Sequence, residues 1–322
     1  MEKNKKRILA FFCICMLLLS GCVMEKSENI QKRKVAVIMK STDSAFFKAV
    51  SSGANAAGTA YNMEILFEGP ENEEDYLTQN RMIEKAIEEK YDAIVFSAVD
   101  YNANADAIDK AVKAGIKTIV IDSDVNSKNV NCRISTNNYN AGKMAGEAVL
   151  RNQVEKLNIG IVNFDKNSQN GQERERGFKD SIKKDERVKN VETINVISTV
   201  EQAKEQTKEF LKNHQEMNVL VTFNEWTSLG VGYAVKELGM QNKVQVVAFD
   251  NNTVSVGMLE TGEVDALIVQ NPYAMGYLGV ESAYNLLNDI PLKSKRVDTE
   301  TICATRENMY DDEYQKTLFA FE

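Results

Sequence analysis

AIVFSAV (93–99), NANADAIDKAVKA (102–114) and KTIVID (117–122) decide the fold. The first and third are short apolar runs rich in β-branched residues, which marks strands buried on both faces of a parallel sheet. Between them Ala105, Ile108, Ala111 and Val112 recur with helical period. Strand, helix, strand is the crossover unit of a parallel sheet. The same alternation extends outward from it. Strand-like runs fall at 34–40, 63–68 and 132–136, then at 158–164, 192–198, 218–223, 244–249 and 265–270. A helix over 273–288 and a last strand around 299–304 close the chain. The pattern runs twice, over 34–137 and 138–270, and predicts an α/β protein of two doubly wound Rossmann-like lobes. With 3 Pro and no Ser/Gly-rich linker, the halves are expected to face each other across a cleft.

The chain has 322 residues, 43% hydrophobic and 27% charged, with a net charge of -8. An acidic balance gives no support to nucleic-acid binding. Residues 1–7 (MEKNKKR) carry +3, which leaves -8 - 3 = -11 for the rest. A fourteen-residue apolar run follows, too short for a bilayer span of about 20 residues and of the length of a signal-peptide core. It ends in Leu19-Ser20-Gly21-Cys22, which resembles a bacterial lipobox. Residues 1–21 are therefore expected to be a lipoprotein signal peptide, with Cys22 lipidated, 22–33 a tether, and the protein anchored on the extracytoplasmic face of the cell membrane.

Ligands of open parallel sheets sit outside the carboxyl ends of the strands, near helix N-termini. The residues there are Ser41 to Phe47 after the first strand and Asp122-Ser123-Asp124 after the fourth. Gln172-Glu173-Arg174, Asn224-Glu225-Trp226, Asp250-Asn251-Asn252 and Gln270-Asn271 occupy the equivalent places in the second half. Carboxylates, amides and an Arg beside aromatic faces suit a neutral polyhydroxylated ligand. No GxGxxG or GxxxxGK[ST] follows a strand, so no nucleotide cofactor is expected. The single histidine, His214, lies in a polar helix end and reads as solvated. No nucleophile and base can be assembled around it, so no catalytic residue is expected; an extracellular carbohydrate-active enzyme on a similar sheet is the alternative of a different class. The acidic stretch Glu71–Asp75 lacks the ligand spacing and turn glycine of a calcium loop and reads as a solvated helix start, so no metal is expected.

In order and spacing, several segments resemble type I periplasmic sugar-binding proteins of the ribose/galactose class, relatives of the LacI-type ligand-binding domains. They include SAFFKAVSSGANAAG (44–58), TIVIDSD (118–124), ISTNNYNAGKMAGE (134–147), RERGFKD (174–180), VVAFDN (246–251) and LIVQNPYAMGYLGVESA (267–283). The resemblance covers nearly all of 34–305. It implies ligand contacts at Ser44, Phe46, Phe47, Asp122, Arg174, Asn224, Asp250 and Gln270; Asp43, Ser123 and Trp226 are further candidates. Ser123 stands where the ribose-type pattern often has Arg, and Ser44 where it often has Asn, so the hydroxyl pattern of the ligand stays open. Several of these residues also have a plain structural reading: the two Phe as staples opening a helix, the two Asp as strand-end turns, Arg174 as a partner of Glu173 or Glu175, Asn224 as an N-cap.

The resemblance further implies a three-stranded hinge, with crossings near 136–137, 270–272 and 298–300. The lobes would be 34–136 plus 271–299 and 137–270 plus 300–322. The function implied is capture of a sugar or polyol by a monomer through hinge closure, for an ABC permease or, alternatively, a membrane histidine kinase or chemoreceptor. On these boundaries Cys132 and Cys303 fall in different lobes, too far apart for a disulfide, and are expected to be buried free thiols.

Overall fold

The computed structural model describes residues 32–320. The expected signal peptide, Cys22 and the tether as far as residue 31 lie outside the described residues. The first half runs β1 (Lys34–Ile38), α1 (Ala45–Ala60), β2 (Glu64–Glu68), α2 (Tyr76–Glu88), β3 (Ala93–Phe96), α3 (Ala105–Lys113), β4 (Lys117–Ile121) and β5 (Cys132–Thr136). The second runs α4 (Asn138–Leu150), β6 (Leu157–Asn163), α5 (Gln169–Ile182), β7 (Val188–Asn195), α6 (Val200–Asn213), β8 (Val219–Thr222), α7 (Glu225–Glu237), β9 (Gln245–Phe249), α8 (Thr253–Thr261) and β10 (Ala266–Val269). Then follow α9 (Pro272–Leu287), β11 (Arg296–Thr299), β12 (Ile302–Thr305) and α10 (Asp312–Leu318).

Two six-stranded sheets result, in the orders β11-β5-β4-β3-β1-β2 and β12-β10-β9-β8-β6-β7. All pairings are parallel except β10 with β12. The expected last strand is in fact two strands: β11 closes the first sheet and β12 the second, as a third crossing at Glu300-Thr301 requires. Buried apolar clusters cover both faces of each sheet. In β3 and β8 every residue is buried, because helices lie on both sides. From Arg33 onward the chain forms one compact unit.

In each half the strand order reverses beside one strand, β1 in the first sheet and β6 in the second. At such a point the helices before and after leave on opposite faces and open a crevice at the carboxyl ends. A helix pair frames each crevice. α1 packs on α9, where a Cβ at Gly53 or Gly276 would overlap the carbonyl oxygen of Tyr273 or Val50. α4 packs on α5 in the same way, through Gly142 against Arg174 and Gly177 against Tyr139. Only a residue without a Cβ permits this approach. It fixes the height of α5, and with it the height of Arg174.

Cys132 lies buried in β5 of the first sheet and Cys303 in β12 of the second; both are free thiols, and burial raises the pKa of each. Cys303 is only partly buried, because β12 is an edge strand.

Candidate functional site

Lys40, Ser44, Phe46, Phe47, Glu73 and Asp122 of the first lobe face Phe164, Asn170, Arg174, Asn224, Glu225, Trp226, Asp250 and Gln270 of the second around a cavity of about 20 Å³, which the closed lobes leave between them. All eight principal candidates from the sequence are in this lining, and so is Trp226. Asp43 is not: it is exposed on the loop before α1. Ser123 is not either. Its backbone N–H donates to Ser97 Oγ at 3.4 Å and its own hydroxyl is buried without a partner.

Local rules place each side chain. Ser44 is the N-cap of α1, accepting from Phe47 N at 3.2 Å, so Phe46 and Phe47 start the helix at the cavity wall. Their rings meet edge to face, with centroids 5.2 Å apart. Asp122 and Asp250 directly follow β4 and β9 in left-handed backbone, with φ of 55° and 68°. Asp is among the few side chains that occupy this region routinely. The reversal turns each carboxylate back over its strand end, so both are turn residues and cavity residues at once.

Arg174 is buried at 1% exposure. It pairs with neither Glu173 nor Glu175; these hold Arg176 and Lys179. Its Nε donates to Asn138 Oδ1 (2.9 Å), Nη1 to the Phe223 carbonyl (2.6 Å) and Nη2 to Gln270 Oε1 (2.6 Å), and the guanidinium lies 4.9 Å from the Phe249 ring centroid. Gln270 Nε2 in turn donates to Asp250 Oδ1 at 2.6 Å. Thr136 Oγ1 also donates to Gln270 Oε1, at 2.7 Å, so Gln270 ties the first and second crossings together. Burial lowers the pKa of Arg174, opposed by Asp250, Asp122 and Glu73. Burial pushes Asp250 up to about 7, opposed by the Arg174 charge and the Gln270 hydrogen bond.

Contacts across the cleft hold the lobes closed. Asn170 Nδ2 donates to Asp122 Oδ1 at 3.2 Å. Glu225 accepts from Ala45 N (3.2 Å) and Phe46 N (3.0 Å), so a carboxylate of one lobe neutralises the helix N-terminus of the other. Lys40 Nζ donates to Ser168 Oγ at 3.1 Å, lies 3.4 Å from Glu73 and stands 4.9 Å from the Phe164 ring centroid. Asn224 caps α7, accepting from Thr227 N, and its Nδ2 donates to Ser198 Oγ and to Glu73 Oε2.

Lys40, Glu73, Phe164 and Asn170 escaped the sequence reading, in which Glu225 stands only as a strand-end residue without a role. The runs 34–40 and 158–164 read as strands, but β1 stops at Ile38 and β6 at Asn163. Lys40 and Phe164 are thus loop residues at the two strands where the order reverses, and that position was the signal. Glu73 corrects the solvated reading of 71–75: it is 7% exposed, paired with Lys40 and bonded to Ser198. Asp75 of the same stretch caps α2. His214 is outside the cavity. It stacks on Phe210, with Nδ1 3.3 Å from Glu192, so it is less solvated than expected.

The family model described as "Periplasmic binding protein domain" matches residues 35–290. A D-ribose/D-allose-binding protein of Pseudomonas aeruginosa is 26% identical over 275 residues, covering 81% of this chain and 84% of the relative. A D-apiose import binding protein of Paraburkholderia graminis is 25% identical over 284 residues, covering 87% and 88%. Among solved structures, a carbohydrate transporter solute-binding protein from Agrobacterium radiobacter in complex with D-arabinose superposes with a TM-score of 0.87 at 25% identity, over 90% of this chain and 99% of that one. A sugar transporter from Clostridium phytofermentans is 33% identical, with a TM-score of 0.78 over 85% and 99%.

Proposed function

The chain belongs to the periplasmic binding protein domain family, a family of binding proteins rather than enzymes, and from that premise we propose that it captures a neutral sugar or polyol between its lobes for an ABC permease. The observation that carries this reading is the composition of the cavity. Four aromatic side chains, Phe46, Phe47, Phe164 and Trp226, line it together with Asp122, Arg174, Asn224, Asp250 and Gln270. Aromatic faces stack on the C–H faces of a pyranose, while carboxylates accept from its hydroxyls and Arg and amide groups donate to them. Both lobes contribute, so a bound ligand favours the closed form through contacts that only closure completes. The lobe boundaries we assign are the crossings after Thr136, after Gln270 and after Thr299.

Export and attachment through a lipidated Cys22 complete the reading; among the described residues no helix is long and apolar enough to cross a membrane. The protein acts as a monomer. The test is thermal unfolding against a panel of monosaccharides, cyclitols and disaccharides. A ligand at about 100 times its dissociation constant adds roughly 2.7 kcal/mol and raises the melting temperature by several degrees. A panel that leaves the melting temperature unchanged removes sugars from the reading.

A further inference from the structure

The cleft does not end at the aromatic chamber. A second, polar chamber of about 230 Å³ lies beside it, and Asp122 belongs to the lining of both. Tyr101, Ser135 and Arg296 line it from the first lobe, Asn138 and Glu173 from the second. Asn138 is 6% exposed. Its Oδ1 is held by Arg174 Nε, while its amide Nδ2 has no protein partner among the described residues and is not among the fully buried polar atoms, so it is open to the chamber. Arg296, at the start of β11, is exposed at the chamber rim, and its guanidinium has no protein partner among the described residues.

From these features we infer that the ligand spans both chambers, and that it is a disaccharide rather than a monosaccharide. One ring lies among the four aromatic side chains. The second occupies the polar chamber, stacked on Tyr101, with its hydroxyls on Asn138 Nδ2 and Arg296. The linkage passes Asp122, which exchanges its 3.2 Å contact with Asn170 for a ligand hydroxyl. The charge balance of the chamber speaks against an anionic extension such as a phosphate. Carboxylates Asp122, Asp124 and Glu173 face the guanidinium groups of Arg133 and Arg296, and Arg133 is already held by Asp124 at 2.7 Å.

This inference rests on the sugar-binding reading above and refines it. The experiment is calorimetric titration of the full-length protein, in a detergent without a sugar headgroup. The probes are glucose, galactose and xylose; cellobiose, lactose, melibiose and xylobiose; and glucose 6-phosphate. We expect one disaccharide to bind at least ten times more tightly than its component monosaccharides. Arg296→Ala should reduce that affinity about tenfold and leave monosaccharide binding within twofold, since it removes one charged hydrogen bond to the second ring alone. Ser135→Leu, which fills the chamber, should abolish the disaccharide advantage. Tighter binding of a monosaccharide or of the sugar phosphate overturns the inference and leaves capture of a sugar standing. An Arg296→Ala variant that keeps the full disaccharide advantage also overturns it. Binding of none of the probes overturns the disaccharide inference, and the wider thermal-unfolding panel above then decides separately whether sugar capture stands.

Discussion

Asp122 and Asp250 occupy the same position in the two lobes, and their surroundings differ. Each follows a strand next but one to the point of reversal in its sheet, counted away from the edge, and each is buried in left-handed backbone. Asp122 bonds to Ser97 of its own lobe and reaches across the cleft to Asn170. Asp250 stays within its lobe and the hinge, joined through Gln270 to Arg174. The repeated architecture supplies two equivalent carboxylates, and their neighbours make one a closing contact and the other part of a rigid floor. The first lobe also supplies both phenylalanines of one helix start, whereas the second supplies the cation that orients the amides.

Removing that cation is the sharpest way to break the comparison. Arg174→Met leaves Asp250 buried without a compensating charge, and Asn138, Gln270 and the Phe223 carbonyl without a donor. Loss of one partner from such a network costs about 3–5 kcal/mol. Urea unfolding should show a loss of this size, and calorimetry no measurable ligand binding; a variant of unaltered stability would mean that the floor is not held by charge.

Next in size is Asp122→Asn, which keeps the shape but removes the charge and turns one of the two acceptor oxygens, now bonded to Ser97 and Asn170, into a donor at the proposed ligand contact. We expect affinity to fall by about 1–3 kcal/mol, with stability little changed. Asp250→Asn should affect affinity less at neutral pH, because a carboxyl titrating at about 7 is already partly protonated there. Equal losses in the two variants would erase the distinction between closing contact and floor.

The pH dependence sharpens it further. The folded-state value of Asp250, about 7, lies above its ordinary 3.8, so between these limits the folded protein holds a proton that the unfolded chain has released. Stability from this site therefore falls as pH rises from about 4 to about 7 and levels off above. Denaturation midpoints recorded over that range should decline more steeply for the wild type than for Asp250→Asn, and parallel curves would refute the assignment. Arg174, Glu225 and Asp122 are the charged groups that act on it.

Glu225→Gln is expected to have the smallest effect on stability. It weakens the interaction with the N-terminus of α1, worth about 0.3–1 kcal/mol at a helix end, and shifts the lobes toward the open form. Small-angle scattering of the ligand-free protein should report a larger radius of gyration. A radius equal to that of the wild type would leave closure to the Asp122–Asn170 and Lys40–Ser168 contacts.

Much of the site was legible because strand ends and helix starts have chemical signatures. The alternation of short β-branched runs with helical spacers identified two doubly wound sheets. Ser44, Asn224 and the two Asp stood out by their place after strand ends and by the family resemblance, and the structure adds that capping and left-handed turns restrict the residue types that can serve there. What stayed hidden depended on partners distant in sequence. Lys40 reads as the polar end of a strand until Glu73, Ser168 and Phe164 are seen around it. Glu73 reads as one more surface acid in an acidic stretch. Whether a charge at a loop is solvated or buried is decided by what the opposite lobe brings to it.

The sequence by itself determined the two sheets, the order of their strands' appearance, the free thiols in separate halves and the ring of polar and aromatic candidates. The sheets follow from periodicity and local backbone preference, which act over a few residues; the placing of the thiols and the choice among the candidates came from the family resemblance. Only the tertiary structure decided that Arg174 points inward to Gln270 instead of outward to Glu173, that Glu225 caps a helix of the other lobe, and that the cleft has a second chamber beside Asp122. These depend on electrostatics and packing between segments far apart in the chain, 96 residues for Arg174 and Gln270 and 180 for Ala45 and Glu225, and such interactions leave no periodic trace in the sequence.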